Sequence, residues 1–216
     1  MTQAVSEIAK AAIVHRLDQG AIGNGRVLAL VSPSTKIDWL CLPRFDSPSV
    51  FGRLLDQVQG GTYGFDLGGN GVQRQMEYVR NTNVLCTRIT GEDGTFDLYD
   101  YAPRIPNGLA VDAPLEIHRL LLPVKGNPRI RITFDPRPDY ARSKACLVPV
   151  SGGLEGQGGG STFHLRTNAP IPYVLNGNPV HLDRGLYFAF SWGRPSDVDS
   201  LPAVERILHL TIAGWR

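Results

Sequence analysis

From residue 26 to residue 193 the chain is a succession of short alternating runs cut by Gly, Pro, Asn and Asp, with almost no helical periodicity between them. RVLALV (26–31) and KIDWLCL (36–42) flank Ser-Pro-Ser-Thr, which reads as a turn. GTYGFDL (61–67) and VQRQMEYV (72–79) flank Gly-Gly-Asn-Gly, while NVLCTRIT (83–90) and TFDLYDYA (95–102) flank Gly-Glu-Asp-Gly; both tetrapeptides carry a hairpin signal. LEIHRLLLPV (115–124) and RIRITFDP (129–136) flank Lys-Gly-Asn-Pro. In the second of these, Ile130, Ile132 and Phe134 point one way, and Arg129, Arg131 and Thr133 the other. CLVPV (146–150), TFHLRT (162–167), PYVLN (172–176), PVHLD (179–183) and LYFAFSW (186–192) read as further strands. GGLEGQGGGS (152–161) reads as a flexible hairpin tip or loop; it lacks the Lys-Ser/Thr and following helix of a phosphate cradle.

So many close-spaced strands without helical crossovers cannot pair in parallel, so the expected class is all-β, an antiparallel sandwich with short terminal helices. Residues 3–17 have modest helical character, with Val5, Ile8, Ala12 and His15 near one face. Near the other end, Asp199-Ser200-Leu201-Pro202 is a helix start. Leu201, Val204, Ile207, Leu208, Thr211 and Ile212 then form an apolar stripe running almost to Arg216. Such a helix either leads to further structure or docks on the sandwich with Gly214 as its stop.

A chain of 216 residues suits one large domain or two small ones. Its net charge of +2, from 22 basic and 20 acidic residues, argues against nucleic acid or an anionic membrane as partner. Cys41, Cys86 and Cys146 are odd in number, far apart and without C-x-x-C spacing; they read as buried thiols in a reducing compartment. The N-terminal residues lack the apolar core of a signal peptide, and no apolar run approaches the roughly 18 residues of a membrane span. A cytoplasmic location is expected.

No catalytic constellation emerges. Asp97 and Asp100 lie three apart on one strand and face opposite ways. Asp135 and Asp139 sit on a proline-stiffened loop with arginines to hold them. The histidines are scattered singly, no G-x-S-x-G elbow occurs, and neither a metal nor a cofactor is expected. The most suggestive segment is IDWLCLPRFDSP (37–48). Trp39, Arg44, Phe45 and Asp46 are residue types that bind sugars, by aromatic stacking and charge-assisted hydrogen bonds to hydroxyls. They are equally the types that brace a loop by an internal ion pair in front of a core tryptophan.

That segment lies within IGNGRVLALVSPSTKIDWLCLPRFDSPSVFGRLLD (22–56), which resembles the opening of bacterial glycoside hydrolase family 15 proteins, the glucoamylase and trehalase-like enzymes. The likeness continues in GGTYGF (60–65), YVRNTNVLCTRIT (78–90), GTFDLYDYAP (94–103), EIHRLLLPVKG (116–126), ITFDPRPDYAR (132–142) and LYFAFSWG (186–193), up to the closing Trp-Arg. Asn24 stands where Asp is common, and Ser34-Thr35-Lys36 where an Asp-Gly turn is usual.

The resemblance implies an antiparallel β-supersandwich of the galactose mutarotase-like kind over 1–198, with 1–20 a helical or irregular lead-in. Residues 199–216 would begin a linker helix toward an (α/α)6 barrel that lies outside this sequence. In the family that barrel carries a glutamate acid and a glutamate base, which hydrolyse α-glucosidic bonds with inversion. This chain would then have no catalytic residue. Its partners would be its own barrel and, through it, an α-glucan, a maltooligosaccharide or trehalose. Arg44, Phe45 and Asp46 would help shape the substrate entrance, with Trp39 behind them, provided their loop is not on the face opposite the C-terminal helix. Two alternatives remain: a stand-alone carbohydrate-binding module, or a sugar mutarotase or epimerase using His118 with Asp97 or Asp100.

Overall fold

The computed structural model describes residues 18–69 and 71–216; the helical reading of 3–17 lies outside the described residues. Two antiparallel sheets face each other. One is ordered β1 (Gly20–Gly23), β2 (Leu28–Val31), β3 (Ile37–Cys41), β5 (Thr62–Leu67), β12 (Arg129–Asp135) and β16 (Pro179–His181), with β4 (Ser49–Phe51) added on β3. The other is ordered β13 (Cys146–Val150), β14 (Gly153–Gly158), β15 (Ser161–Thr167), β17 (Leu186–Trp192), β11 (Glu116–Gly126), β8 (Gly94–Tyr101), β7 (Leu85–Gly91) and β6 (Gln73–Tyr78). A small ribbon joins β9 (Ile105–Asn107) to β10 (Ala110–Asp112). The fold is therefore all-β, an antiparallel sandwich with two short helices among the described residues, α1 (Ile171–Asn176) and α2 (Leu201–Trp215).

The main core lies between the sheets. Ile130, Ile132 and Phe134 face inward from β12, as their alternation requires, and meet Phe188 and Phe190 of β17 through a chain of aromatic contacts. Phe65 and Phe188 have ring centroids 5.0 Å apart, and Phe51 and Phe190 5.8 Å. Such tilted pairs add to the apolar area they bury. A second core forms on the outer face of the eight-stranded sheet, where α2 lays Val204 and Leu208 against Tyr101, Leu120, Tyr187 and Ala189. Ser200 caps α2 with extended backbone, and Pro202 sits in the first turn. The stripe from Leu201 to Ile212 faces the sheet as its spacing demands. The helix therefore docks on the sandwich, and Gly214 is not its stop. A Cβ at Gly214 would lie 2.6 Å from the Arg104 carbonyl oxygen, so glycine here permits close approach to the chain before β9.

Several local readings need correction. Gly-Gly-Asn-Gly is no hairpin: β5 belongs to one sheet and β6 to the other, so the glycines carry the chain across the sandwich. Turn chemistry marks where a strand ends, but not which ladder the next one joins. PYVLN is helical, as α1 shows, despite its β-branched and aromatic residues; Pro170 precedes it and Gly177 ends it in the left-handed region, at φ 62°. GGLEGQGGGS contains the strand β14. Its glycines are required by packing, because a Cβ at Gly156 would run into the ring of Phe163, its cross-strand partner. Of the three thiols only Cys41 is buried; Cys86 is half-buried, and Cys146 is exposed on the edge strand β13.

Candidate functional site

The segment 37–48 leaves β3 at Cys41 and turns outward at Pro43, after a cis Leu42–Pro43 peptide. The corner is held by its own side chains. The Arg44 guanidinium donates to both Asp46 carboxylate oxygens, at 2.9 and 3.0 Å, and its amide donates to the Ser47 hydroxyl at 3.1 Å. Both charged side chains are exposed, and the guanidinium hydrogen bond holds the Asp46 carboxyl below its ordinary value. This pairing turns Phe45 outward, 58% exposed. Phe45 borders a shallow, largely apolar groove of about 580 Å³, together with Val27, Leu28, Tyr78 and Trp215. Trp215 ends α2, so the loop lies beside the C-terminal helix and not across the molecule from it. Trp39 pairs with Leu30 across β2–β3 and is half-buried, outside the lining of this groove. The structure thus brings Phe45 to Trp215, ties Arg44 to Asp46, and leaves Trp39 apart.

The groove has a rigid floor. The Asn24 amide donates to the carbonyls of Pro103 and Pro114, both at 2.9 Å, and its oxygen accepts from the amides of Arg26 and Val27. The Asn83 amide oxygen accepts from Gly23 N, and the Asn83 NH₂ donates to Ala21 O. On the far wall Arg104 donates to Gly214 O at 3.0 Å and lies 4.7 Å over the Trp215 ring. The resemblance-bearing residues Asn24, Tyr78 and Asn83 therefore hold the segment before β2 in place.

A second constellation was not singled out from the sequence. Glu116 opens β11, and His118, two residues on, shares its face. His118 Nε2 lies 2.7 Å from Glu116 Oε2, the Ser196 hydroxyl donates to the same oxygen at 2.7 Å, and Tyr101 meets the imidazole edge-on. Burial pushes the Glu116 carboxyl up, but His118, Ser196 and Arg194 outweigh it and hold the group below its ordinary value. Glu116 borders two clefts of about 440 Å³ each, which share Arg26, Pro114 and Arg194. The Glu-x-His spacing, which puts both side chains on one face of a strand, is the sequence signal that could have found it.

This arrangement corrects the pairing of His118 with Asp97 or Asp100. Asp97 faces outward, bound to Arg88 at 2.7 Å, while Asp100 is buried against Arg119 at 2.7 Å. His118 is fully buried and borders neither cleft, so it orients Glu116 and does not reach a sugar ring. Asp135 is bound by Arg137 and Asp139 by Arg142, as their loop suggested. Among the described residues no group of three or more His, Cys, Asp or Glu could hold a metal ion, and no helix is long and apolar enough to cross a membrane.

The family model described as "Trehalase-like, N-terminal" matches residues 8–174. A trehalase of Thermoplasma volcanium is 32% identical over 158 residues, covering 69% of this chain and 25% of the relative. A trehalase of Thermoplasma acidophilum is 31% identical over 149 residues, covering 65% and 25%. A Mycobacterium tuberculosis trehalase is 44% identical over 51 residues, covering 22% and 8%. The chain spans about a quarter of the length of the two Thermoplasma relatives. No solved structure shows significant similarity.

Proposed function

The chain belongs to the trehalase-like N-terminal family, and from that premise we propose that it is the non-catalytic β-sandwich domain of a family 15-like glycoside hydrolase. The parent enzyme hydrolyses α-glucosidic bonds of trehalose, maltooligosaccharides or a glucan with inversion, using two glutamates of an (α/α)6 barrel. In this reading the domain runs to residue 198, its sandwich described from residue 18, and 199–216, docked on the sheet as α2, lead into the linker. The sandwich packs on the barrel and presents Phe45 at the contact. One observation carries this reading: Phe45, exposed on a loop braced by Arg44 and Asp46, shares an apolar groove with Trp215 at the end of α2. Exposed aromatics beside the point where the chain leaves a domain are suited to an interdomain contact. The three free thiols favour a reducing compartment, and we place the protein in the cytoplasm.

The test has two parts. The purified chain is incubated with trehalose and with maltooligosaccharides, and glucose release is measured; none is expected, and turnover by this chain alone overturns the non-catalytic reading. In a protein that joins this chain to an (α/α)6 barrel, Phe45→Asp is expected to lower activity and to increase protease cleavage between the domains. Unchanged activity and unchanged cleavage overturn the packing role.

A further inference from the structure

We propose that Asn107, at the tip of the β9–β10 ribbon, is a site of spontaneous modification. Together with Gly108 it converts to aspartate and isoaspartate, and the conversion loosens the hold on the end of α2. Neither the Phe45 contact nor any ligand is involved.

The sequence holds four Asn-Gly pairs, Asn24-Gly25, Asn70-Gly71, Asn107-Gly108 and Asn176-Gly177, of which Asn70 lies outside the described residues. Cyclisation of such a pair needs a side-chain amide free to swing and a following N–H not held in a hydrogen bond. Asn24 fails the first condition. It is 1% exposed, its NH₂ donates to the carbonyls of Pro103 and Pro114, and its oxygen accepts from the amides of Arg26 and Val27. Asn176 fails the second, because the Gly177 N–H donates to Tyr173 O and closes α1. Asn107 meets both. It is exposed, Gly108 N makes no hydrogen bond with the described residues, and a Cβ at Gly108 would meet nothing within 4 Å. Its side chain is anchored among the described residues by one exposed hydrogen bond, from its NH₂ to Asp112 Oδ2 at 3.0 Å.

The ribbon supplies the remaining freedom. It pairs only three residues on each side and belongs to neither sheet. A two-stranded ribbon is marginal in water, and its end opens ahead of the sheets. Gly108, at φ 61°, leads the turn, and Leu109 beside it is fully exposed. Opening there releases Asn107 from its extended strand conformation and lets its Cγ reach Gly108 N. Gly108 N attacks Cγ and a C–N bond forms. The side-chain nitrogen leaves as ammonia, taking the proton that Gly108 N loses, and a five-membered succinimide remains. Water opens either carbonyl, giving aspartate or isoaspartate, whose main chain is one carbon longer.

Both products work against the ribbon. The donor to Asp112 is replaced by a carboxylate, so like charges face each other, and isoaspartate also breaks the ladder register. Arg104, directly before β9, holds the end of α2: its amide donates to Thr211 Oγ1 at 3.2 Å and its Nε to Gly214 O at 3.0 Å. Loosening of β9 is therefore felt at 211–215.

The experiment ages the full chain in warm, mildly alkaline buffer and follows each asparagine by peptide mass spectrometry. Asn107 is expected to deamidate about tenfold faster than Asn24 and Asn176, with isoaspartate among its products. Hydrogen exchange reads the consequence. The amides of 211–215 are expected to exchange about tenfold faster in aged protein and in fresh Asn107→Asp. Aged Asn107→Gln, which keeps an amide at this position but closes a less favourable ring, is expected to exchange as fresh wild type does. Equal rates at the three asparagines, or an Asn107 that stays intact, overturn the site. Unchanged exchange at 211–215 in aged protein and in Asn107→Asp overturns the coupling to α2, and so does faster exchange that Asn107→Gln does not prevent.

Discussion

Arg119 and Asp100 form an ion pair with both side chains fully buried, Nε to Oδ1 at 2.7 Å and Nη2 to Oδ2 at 3.1 Å. The remaining guanidinium donors cross the sandwich, Nη1 to Tyr63 O at 2.7 Å and Nη2 to Thr35 O at 2.6 Å. The guanidinium also lies 4.7 Å from the Phe65 ring centroid and 4.8 Å from that of Tyr63. One residue of the eight-stranded sheet thus saturates two carbonyls belonging to the opposite sheet and its turn. The same pair explains why Asp100 is structural: its charge is already used.

Replacing Arg119 with Met is expected to destabilise the chain by about 3–5 kcal/mol, because it strands a buried carboxylate and two carbonyls. Arg119→Lys is expected to recover little, since an ammonium cannot reproduce the fork that meets Asp100 and both carbonyls at once. The double variant Arg119→Met, Asp100→Leu is expected to be more stable than Arg119→Met alone. Urea unfolding of wild type, Arg119→Met, Asp100→Leu and the double variant checks this; strict additivity of the single losses would contradict the account.

Gly214 gives a test of sign. In a free or solvent-facing helix, Gly→Ala stabilises by up to about 1 kcal/mol. Here the added methyl would meet the Arg104 carbonyl and the ring of Pro106, so Gly214→Ala is expected to destabilise by about 1–2 kcal/mol. A rise in thermal midpoint would mean that the end of α2 does not dock on the chain before β9.

Strands with strict alternation were legible because the side-chain period fixes which face is buried, as Ile130, Ile132 and Phe134 demonstrate. The Ser-Pro-Ser-Thr and Gly-Glu-Asp-Gly turns join paired strands, β2 to β3 and β7 to β8. β14 was illegible for a physical reason: beside the inward Leu154 its next inward position is Gly156, which makes room for Phe163, so much of the strand's packing is supplied by its neighbour. At the site, the chemistry of Arg44, Phe45 and Asp46 could be read, but not that the two charges close on each other and leave the ring outward. Glu116 and Ser191 are 75 positions apart in sequence and meet only through the β11–β17 register, which no local pattern encodes.

The Arg44–Asp46 corner is expected to matter little for the stability of the isolated chain. Phe45 is 58% exposed, and the ion pair in front of it is in solvent, where such pairs contribute little. Phe45→Ala and Arg44→Ala should therefore leave the thermal midpoint of this chain unchanged within error. A clear drop in either variant would make the loop a brace of the sandwich and remove the argument that it is kept for contact with another domain.

Glu116 makes the acid limb of stability informative. Its carboxyl is buried, which raises its pKa, yet His118, Ser196 and Arg194 bring it below its ordinary value of 4.5. The folded state therefore holds the proton more weakly than the unfolded chain. The resulting stability is fully present above the unfolded value and is lost as pH falls through the lower folded one. Glu116→Gln removes that contribution, so the variant is expected to be less stable by about 1–2 kcal/mol at about pH 6. The difference should shrink as pH falls below the ordinary glutamate value, because wild type loses what the variant never had. Urea midpoints at about pH 6 and about pH 3 measure it; a gap that widens toward acid would show that the buried carboxyl is protonated in the native state and that His118 and Ser196 do not stabilise its charge.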